Sequence, residues 1–327
     1  DKEVDHLFDF VLSLKARGVG IIYISHRIQE FARIADRVTV LRDGALISTR
    51  DIAEIDHDQV IRDMVARSIE EVHVKETVPI GAPLLVTEGL TGPGFTDVSI
   101  TVKRGEIVGL YGLIGAGRSE FVQSLFGRHP ATAGTITLDG KPLNPRRVPQ
   151  AIEAGIALVP EGRRDQGLCL NLPVGHNLNL TVYNMISRLG LVRGGEEKRR
   201  SAEQIAAMSI RTPGASELVQ NLSGGNQQKV VVGKWLNHGA KLFIFDEPTV
   251  GVDIATKVEI YRLFSALLKE GAGIILISSY LPEVYDLSDI LHVFLEGRLV
   301  ATHDLESGDR ESPHASHERV LAQAIGA

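Results

Sequence analysis

Gly112-Leu113-Ile114-Gly115-Ala116-Gly117-Arg118-Ser119 follows an apolar run, Ile107 to Tyr111, and precedes a helical pattern from Glu120 to Phe126. The order is strand, loop, helix. Glycines at 112, 115 and 117 let backbone N–H groups turn inward around phosphate oxygens where a Cβ would intrude, and the helix opening after Gly117 adds its positive end to the same place. Ser119 stands where the pattern G-x-x-x-x-G-K-[ST] puts a hydroxyl for Mg²⁺, so the stretch predicts a phosphate loop. Position 118 is Arg where that pattern has Lys.

Working outward, Leu84 to Glu88 and Val98 to Lys103 read as alternating strands ahead of the loop, and Gly134 to Leu138 with Asp139-Gly140 as part of a hairpin. A short helix ending at Ala151 to Ala154 leads to a strand over Ile156 to Val159. Asn177 to Leu236 is the least strand-like portion. Helical patterns cover Asn177–Ile186, Glu196–Met208 and Gly225–Leu236, with loops at Arg193-Gly194-Gly195 and Thr212-Pro213-Gly214. The predicted fold class is α/β, a phosphate-loop nucleoside triphosphatase (P-loop NTPase) fold: a mostly parallel sheet with helices on both faces, an N-terminal antiparallel β subdomain and an α-helical insertion at about 165–235.

The two ends of the chain resemble each other. An offset of 253 positions superposes Gly18 on Gly271, Ser25 on Ser278, His26 on Ser279, Glu30 on Glu283, Asp36 on Asp289 and Gly44 on Gly297 without a gap. The first copy has a helix (Val4, Leu7, Phe8, Val11, Leu14) and a buried strand, Val19 to Ser25. A second helix (Ile28 to Ala35), a second strand (Arg37 to Leu41) and a turn at Asp43-Gly44 follow. The second copy runs from a helix at Ala255–Lys269 through Gly271–Ser279, a helix from Pro282 and a strand from Ile290 to the turn at Glu296-Gly297. Residues 1–69 therefore read as the end of one unit and 84–305 as the whole of another, with a linker at 70–83 and a tail at 306–327. With its first helix wanting something N-terminal to pack against, the chain reads as a fragment.

The 327 residues are 43% hydrophobic, enough for proper cores. Acidic residues (41) outnumber basic ones (35), giving a net charge of −6 that draws neither nucleic acid nor anionic lipid overall. The lone cysteine, Cys169, reads as an inert thiol. No apolar run is long enough to span a bilayer, so any membrane role comes through a partner. His303, His314 and His317 near the end read as solvated.

Two further stretches carry chemistry. Leu242 to Phe245 is an apolar strand delivering Asp246 and Glu247 at its end, Asp246 placed for the Mg²⁺ shell and Glu247 to orient or deprotonate a water. Leu222-Ser223-Gly224-Gly225-Asn226, then Gln227-Gln228-Lys229 and an apolar-periodic helix, is a second phosphate-binding device.

Together these stretches resemble the ATP-binding cassette ATPases: Walker A at 112–119, signature at 222–226, Walker B ending in Asp246-Glu247, and a D-loop-like Gly251-Val252-Asp253. The variants GLIGAGRS, VPEGRR at 159–164 and LSGGNQQKV resemble the second cassette of tandem ATPases serving bacterial monosaccharide importers (the ribose, xylose, galactose and rhamnose group). The resemblance implies ATP and Mg²⁺ as cofactors. Phosphate would be held by Gly112, Gly115, Ala116, Gly117, Arg118, Ser119 and Glu120, the metal by Ser119 and Asp246, and catalysis would fall to Glu247. It also implies that Ser223, Gly224, Gly225 and Asn226 cap the γ-phosphate of an opposite site, and that Glu161 stands at the position of the Q-loop glutamine. His26 would be the switch histidine of a first cassette, and the region 165–235 would dock membrane subunits.

Implied partners are transmembrane permease subunits, a periplasmic or extracellular sugar-binding protein reached indirectly, and a first cassette or second copy, but not nucleic acid. The implied location is the cytoplasmic face of the plasma membrane. Arg118, Ser279 and Glu161 depart from the pattern, so the second site is expected to be degenerate. A non-catalytic regulatory half and a soluble tandem cassette acting on ribosomes or DNA are the alternatives, the latter disfavoured by the short, mildly acidic linker.

Overall fold

The computed structural model describes residues 2–24, 33–42, 45–54, 60, 63, 78–252, 254–305 and 313–326. The chain divides into two compact units, Asp1–Val74 with Asp253–Glu259, and Lys75–Val252 with Ile260–Ala327.

In the first unit, helix α1 (Lys2–Ala16) precedes an antiparallel hairpin of β1 (Arg37–Arg42) and β2 (Ala45–Asp51), packed around Val40 and Val60. Shifted by 253 positions, that hairpin has the bounds of the one at Ile290–Leu295 and Arg298–Asp304, with its register slip between Val40 and Leu41 matching the slip between Val293 and Phe294. The repeat therefore extends from sequence to geometry. It fails over the described part of the run, 19–24. Residues 19–24 form no strand, and Ile22 and Ile24 are each 93% exposed. The equivalent run in the second copy lies between two neighbouring strands, whereas β1 and β2 pair only with each other among the described residues, so the β-branched run at 19–24 has no ladder to join. Ser25, His26, most of the helix predicted over 28–35, the turn at 43–44 and most of the 70–83 linker lie outside the described residues.

The second unit opens with β3 (Pro83–Gly92), β4 (Phe95–Val98) and β5 (Thr101–Lys103), then β6 (Ile107–Tyr111), α2 (Arg118–Leu125), β7 (Ala133–Leu138) and β8 (Lys141–Leu143). The single strand expected over Val98–Lys103 is two, because the buried Thr87 hydroxyl donates to Val98 O and accepts from Ile100 N, replacing ladder bonds where the chain turns between strands. Next come α3 (Val148–Ala154), β9 (Ile156–Val159), α4 (Val174–Asn179), α5 (Tyr183–Ile186) and a small hairpin of β10 (Ser187–Arg188) and β11 (Leu191–Val192). The helical insertion continues with α6 (Gly194–Ala207) and α7 (Gly224–His238). The pattern read as one helix over Asn177–Ile186 is thus α4 and α5, and Gly194-Gly195 starts α6 instead of forming a loop.

The chain ends with β12 (Leu242–Asp246), α8 (Ile254–Lys269), β13 (Gly273–Ile277), α9 (Leu281–Leu287), β14 (Ile290–Leu295), β15 (Arg298–Asp304) and α10 (Pro313–Ile325). The main sheet has the order β15-β14-β6-β13-β12-β9 and is parallel except at the β14/β15 edge. Its inner strands are buried on both faces, which is why they read as unbroken Val/Ile/Leu/Phe runs. The second sheet is antiparallel, β4-β3-β7-β8 with β5 on β3. His303 is not solvated: it is 6% exposed on β15 and its Nε2 shares a 2.8 Å hydrogen bond with Gln323 of α10. His317 meets Tyr285 edge to face at 4.8 Å between centroids, and the side chain of His314 is outside the described set. A tail that packs back as a helix overrides the local polarity that suggested solvent.

Candidate functional site

Register decides where the chemistry gathers. Leu110 of β6 pairs with Ile277 of β13, and Ile277 pairs with Asp246 of β12, so the three central strands end level. The loop 112–119, the pair Asp246-Glu247 and Ser278-Ser279 all leave the sheet at this carboxyl edge, the place where open α/β sheets bind ligands.

Gly117 is the N-cap of α2 at φ 94°, and a Cβ there would lie 2.6 Å from Gly94 O. Gly115, at φ 82°, has open space around it, so its constraint is conformational alone. The loop is pinned from behind, with Gly297 N donating to Ala116 O and Thr96 N to Gly297 O. Phe121, under α2, packs on Phe95 and Phe294. Gly112 and Ala116 belong to this pinned stretch, and Glu120 lies in the first turn of α2.

Ser119 Oγ donates to Asp246 Oδ1 at 3.3 Å. Burial raises Asp246 to a pKa of about 6, and the nearby charges of Glu161 and Glu120 push the same way, against the Ser119 hydrogen bond and Arg118. Glu247, at φ 50°, is raised to about 7, again chiefly by burial, with Arg118 opposing. Its Oε2 accepts from Ser279 Oγ at 3.2 Å. Arg118 is 7% exposed, and its Nη1 donates to Ser278 O at 3.2 Å. Thus Arg118, Ser119, Asp246, Glu247 and Ser279 come together, and Glu161 is close enough for its charge to act on Asp246.

The signature stretch is assembled elsewhere in the unit. Ser223 caps the 15-residue helix α7 and accepts from Asn226 Nδ2 at 2.9 Å, while Asn226 Oδ1 accepts from Arg211 N. Gly224 and Gly225 form the half-buried first turn, where the guanidinium of Arg163 lies against Gly224. Among the described residues no hydrogen bond joins 222–226 to 112–119. His26 and Asp253 lie outside the described residues, while Gly251 turns at φ 68° and Val252 is buried.

One group escaped the sequence reading. Glu283 is 5% exposed and accepts from Thr249 Oγ1 (2.7 Å), Tyr261 OH (2.6 Å) and Ser278 Oγ (2.6 Å). It ties the segment after Glu247 to the segment carrying Ser279. The only signal for it was the Glu30–Glu283 match of the repeat.

The site can take a divalent cation with a polyphosphate. Asp246 and the Ser119 hydroxyl are two hard oxygens already in contact, and a bound cation would offset the cost of burying the Asp246 carboxylate, the main cause of its raised pKa.

Residues 95–250 match the profile of the ABC transporter family. Over the whole chain, the sequence is 43% identical to a "Putative ribose/galactose/methyl galactoside import ATP-binding protein 3" of Burkholderia cenocepacia and 42% identical to a "Ribose import ATP-binding protein RbsA 3" of Rubrobacter xylanophilus. It spans 63% and 64% of those relatives' own length. Among solved structures, the ADP conformation of MJ1267, an ATP-binding cassette of an ABC transporter, superposes with a TM-score of 0.61 at 20% identity, covering 76% of this chain and all of that one. The post-hydrolysis dimer of the cassette MJ0796, bound to ADP and Pi, gives 0.59 at 19% identity over 68% of this chain and 99% of that one. The chain thus carries an ABC transporter domain at residues 95–250, within a sequence similar along its whole length to sugar-import ATP-binding proteins.

Proposed function

We propose that the chain is the nucleotide-binding, energy-coupling part of a monosaccharide importer, and that its own site binds ATP with Mg²⁺ but turns over slowly. The observation that carries this reading is the cluster at the carboxyl edge. Ser119 meets Asp246 and Ser279 meets Glu247, while the buried Arg118 is held to the Ser278 carbonyl. The import names of the relatives supply the substrate class.

In this reading the N–H groups of 112–119 and the start of α2 hold the phosphates, with Arg118 and Glu120 beside them. Ser119 and Asp246 hold Mg²⁺, which when bound supplies positive charge against the phosphate oxygens. Glu247 positions the attacking water and takes its proton. Ser279 orients Glu247 through its hydroxyl but lacks an imidazole's second nitrogen and its capacity for charge. Loss of one positioned donor costs about 2.7 to 4 kcal/mol, a factor of about 10² to 10³ in rate, so Arg118 and Ser279 together leave binding with little turnover.

Ser223 to Asn226 serve the opposite site, contributed by a first cassette with His26 as its switch residue, or by a second copy. Permease subunits meet the Glu161 loop and the helical insertion, an external sugar-binding protein acts indirectly, and the chain works peripherally at the cytoplasmic face.

Fluorescent-ATP titration with and without Mg²⁺ tests the site. Binding should tighten with Mg²⁺, and Ser119→Ala or Asp246→Asn should remove about tenfold of that gain, one lost ligand of a shared cation. Binding indifferent to Mg²⁺ and to both substitutions would overturn the reading.

A further inference from the structure

From Gln166 to Gly195 the sequence has no Asp or Glu, in a chain whose net charge is −6. Within this stretch β10 and β11 form the smallest possible hairpin, pairing Ser187 with Val192 and Arg188 with Leu191. Its turn is Leu189-Gly190, both left-handed, at φ 51° and 78°. A leucine in that conformation is costly, and here it is also 96% exposed. Leu191 is 76%, Met185 53% and Val192 43% exposed around it. Folding gains little from Leu189 and Leu191, which the hairpin holds mostly in water with Met185 and Val192 half exposed beside them.

The charges at its base are of one sign. Arg193 spends its guanidinium on the carbonyls of Met185 and Ile186, and Arg188 shares a face with Leu191; no carboxylate pairs with either arginine among the described residues. The acidic side chains that follow are turned to other partners, Glu196 to Arg199 and Arg200, and Glu197 to Tyr183. A protein groove would ask for a shaped partner, whereas a protruding apolar knob on an unneutralised basic base suits the boundary between anionic headgroups and acyl chains.

We propose that the hairpin tip, Leu189 and Leu191 with Met185 and Val192, inserts into an anionic lipid surface while Arg188 and Arg193 meet its headgroups. The proposal uses no part of the nucleotide site, so its failure would leave the ATP reading untouched, and the reverse holds.

The test is co-sedimentation of the whole chain with phosphatidylglycerol-containing vesicles against pure phosphatidylcholine vesicles. We expect binding only to the anionic vesicles, weakened at about 0.5 M salt, where the Debye length falls to a few ångströms. The doubly substituted Leu189→Asp, Leu191→Asp chain, altered only at exposed positions, should lose about tenfold or more of its partitioning, since both knobs become charged. Arg188→Glu should lose several-fold. A Leu189→Trp reporter, beside the single native Trp235 at 5% exposure, should shift its emission to the blue on anionic vesicles. Undiminished sedimentation of the double variant, failure of the native chain to sediment, or binding without the blue shift would each overturn the insertion, the first pointing to a different lipid-binding surface and the second to a protein partner for the tip.

Discussion

Gly117 is where a single methyl group tests the loop. Its φ of 94° and the 2.6 Å approach of Gly94 O leave an alanine Cβ both strained and overlapping backbone, so Gly117→Ala should cost about 2 kcal/mol or more in urea unfolding and abolish ATP binding. Asp246 tests the electrostatics. Its pKa is about 6 in the folded chain against 3.8 for an ordinary aspartate, so the folded state holds the extra proton between those values. Stability contributed by this group is therefore lost as pH rises through the window. Without metal or nucleotide, Asp246→Asn should be more stable than the native chain by about 2 to 3 kcal/mol at pH 8, and the difference should shrink by about half at pH 5. Unfolding curves at the two pH values check it; a pH-independent difference would mean that burial of this carboxylate costs nothing. Both residues were legible in the sequence, because a phosphate loop and a carboxylate pair at a strand end are local patterns.

Elements were legible to the extent that their partners were. The buried strands at 107–111, 242–246 and 273–277 read correctly because each lies between two others, and burial on both faces writes itself as a continuous apolar run. The same kind of run at 19–24 misled, since composition records what a strand could pair with and not whether a neighbour stands beside it. Glu283 was illegible for a related reason: Thr249, Tyr261 and Ser278 come from three separate segments, and no spacing announces their convergence. Removing the carboxylate strands three buried donors, so Glu283→Ala should cost about 3 kcal/mol or more, and Glu283→Gln, which keeps an acceptor oxygen, distinctly less. Thermal unfolding of the two variants checks the order. Equal losses would show that the side-chain volume, not the acceptor set, holds the segment.

For the molecule as a whole, the sequence reading reached the cassette through motifs at 112–119, 222–226 and 242–247 and reached the repeat through an offset that the β1/β2 and β14/β15 hairpins reproduce. It missed the return of the tail, because the docking of α10 and the burial of His303 depend on the sheet edge they cover. Arg118 and Ser279, as proposed, leave a site that binds but scarcely hydrolyses. The most direct test is steady-state ATP hydrolysis by the purified chain with Mg²⁺, measured beside its ATP affinity and beside the Glu247→Gln variant. Saturable ATP binding with turnover no greater than that of Glu247→Gln is the predicted result. Robust turnover that Glu247→Gln abolishes would contradict it, and would mean that two copies assemble a working site in which Arg118 and Ser279 are no handicap.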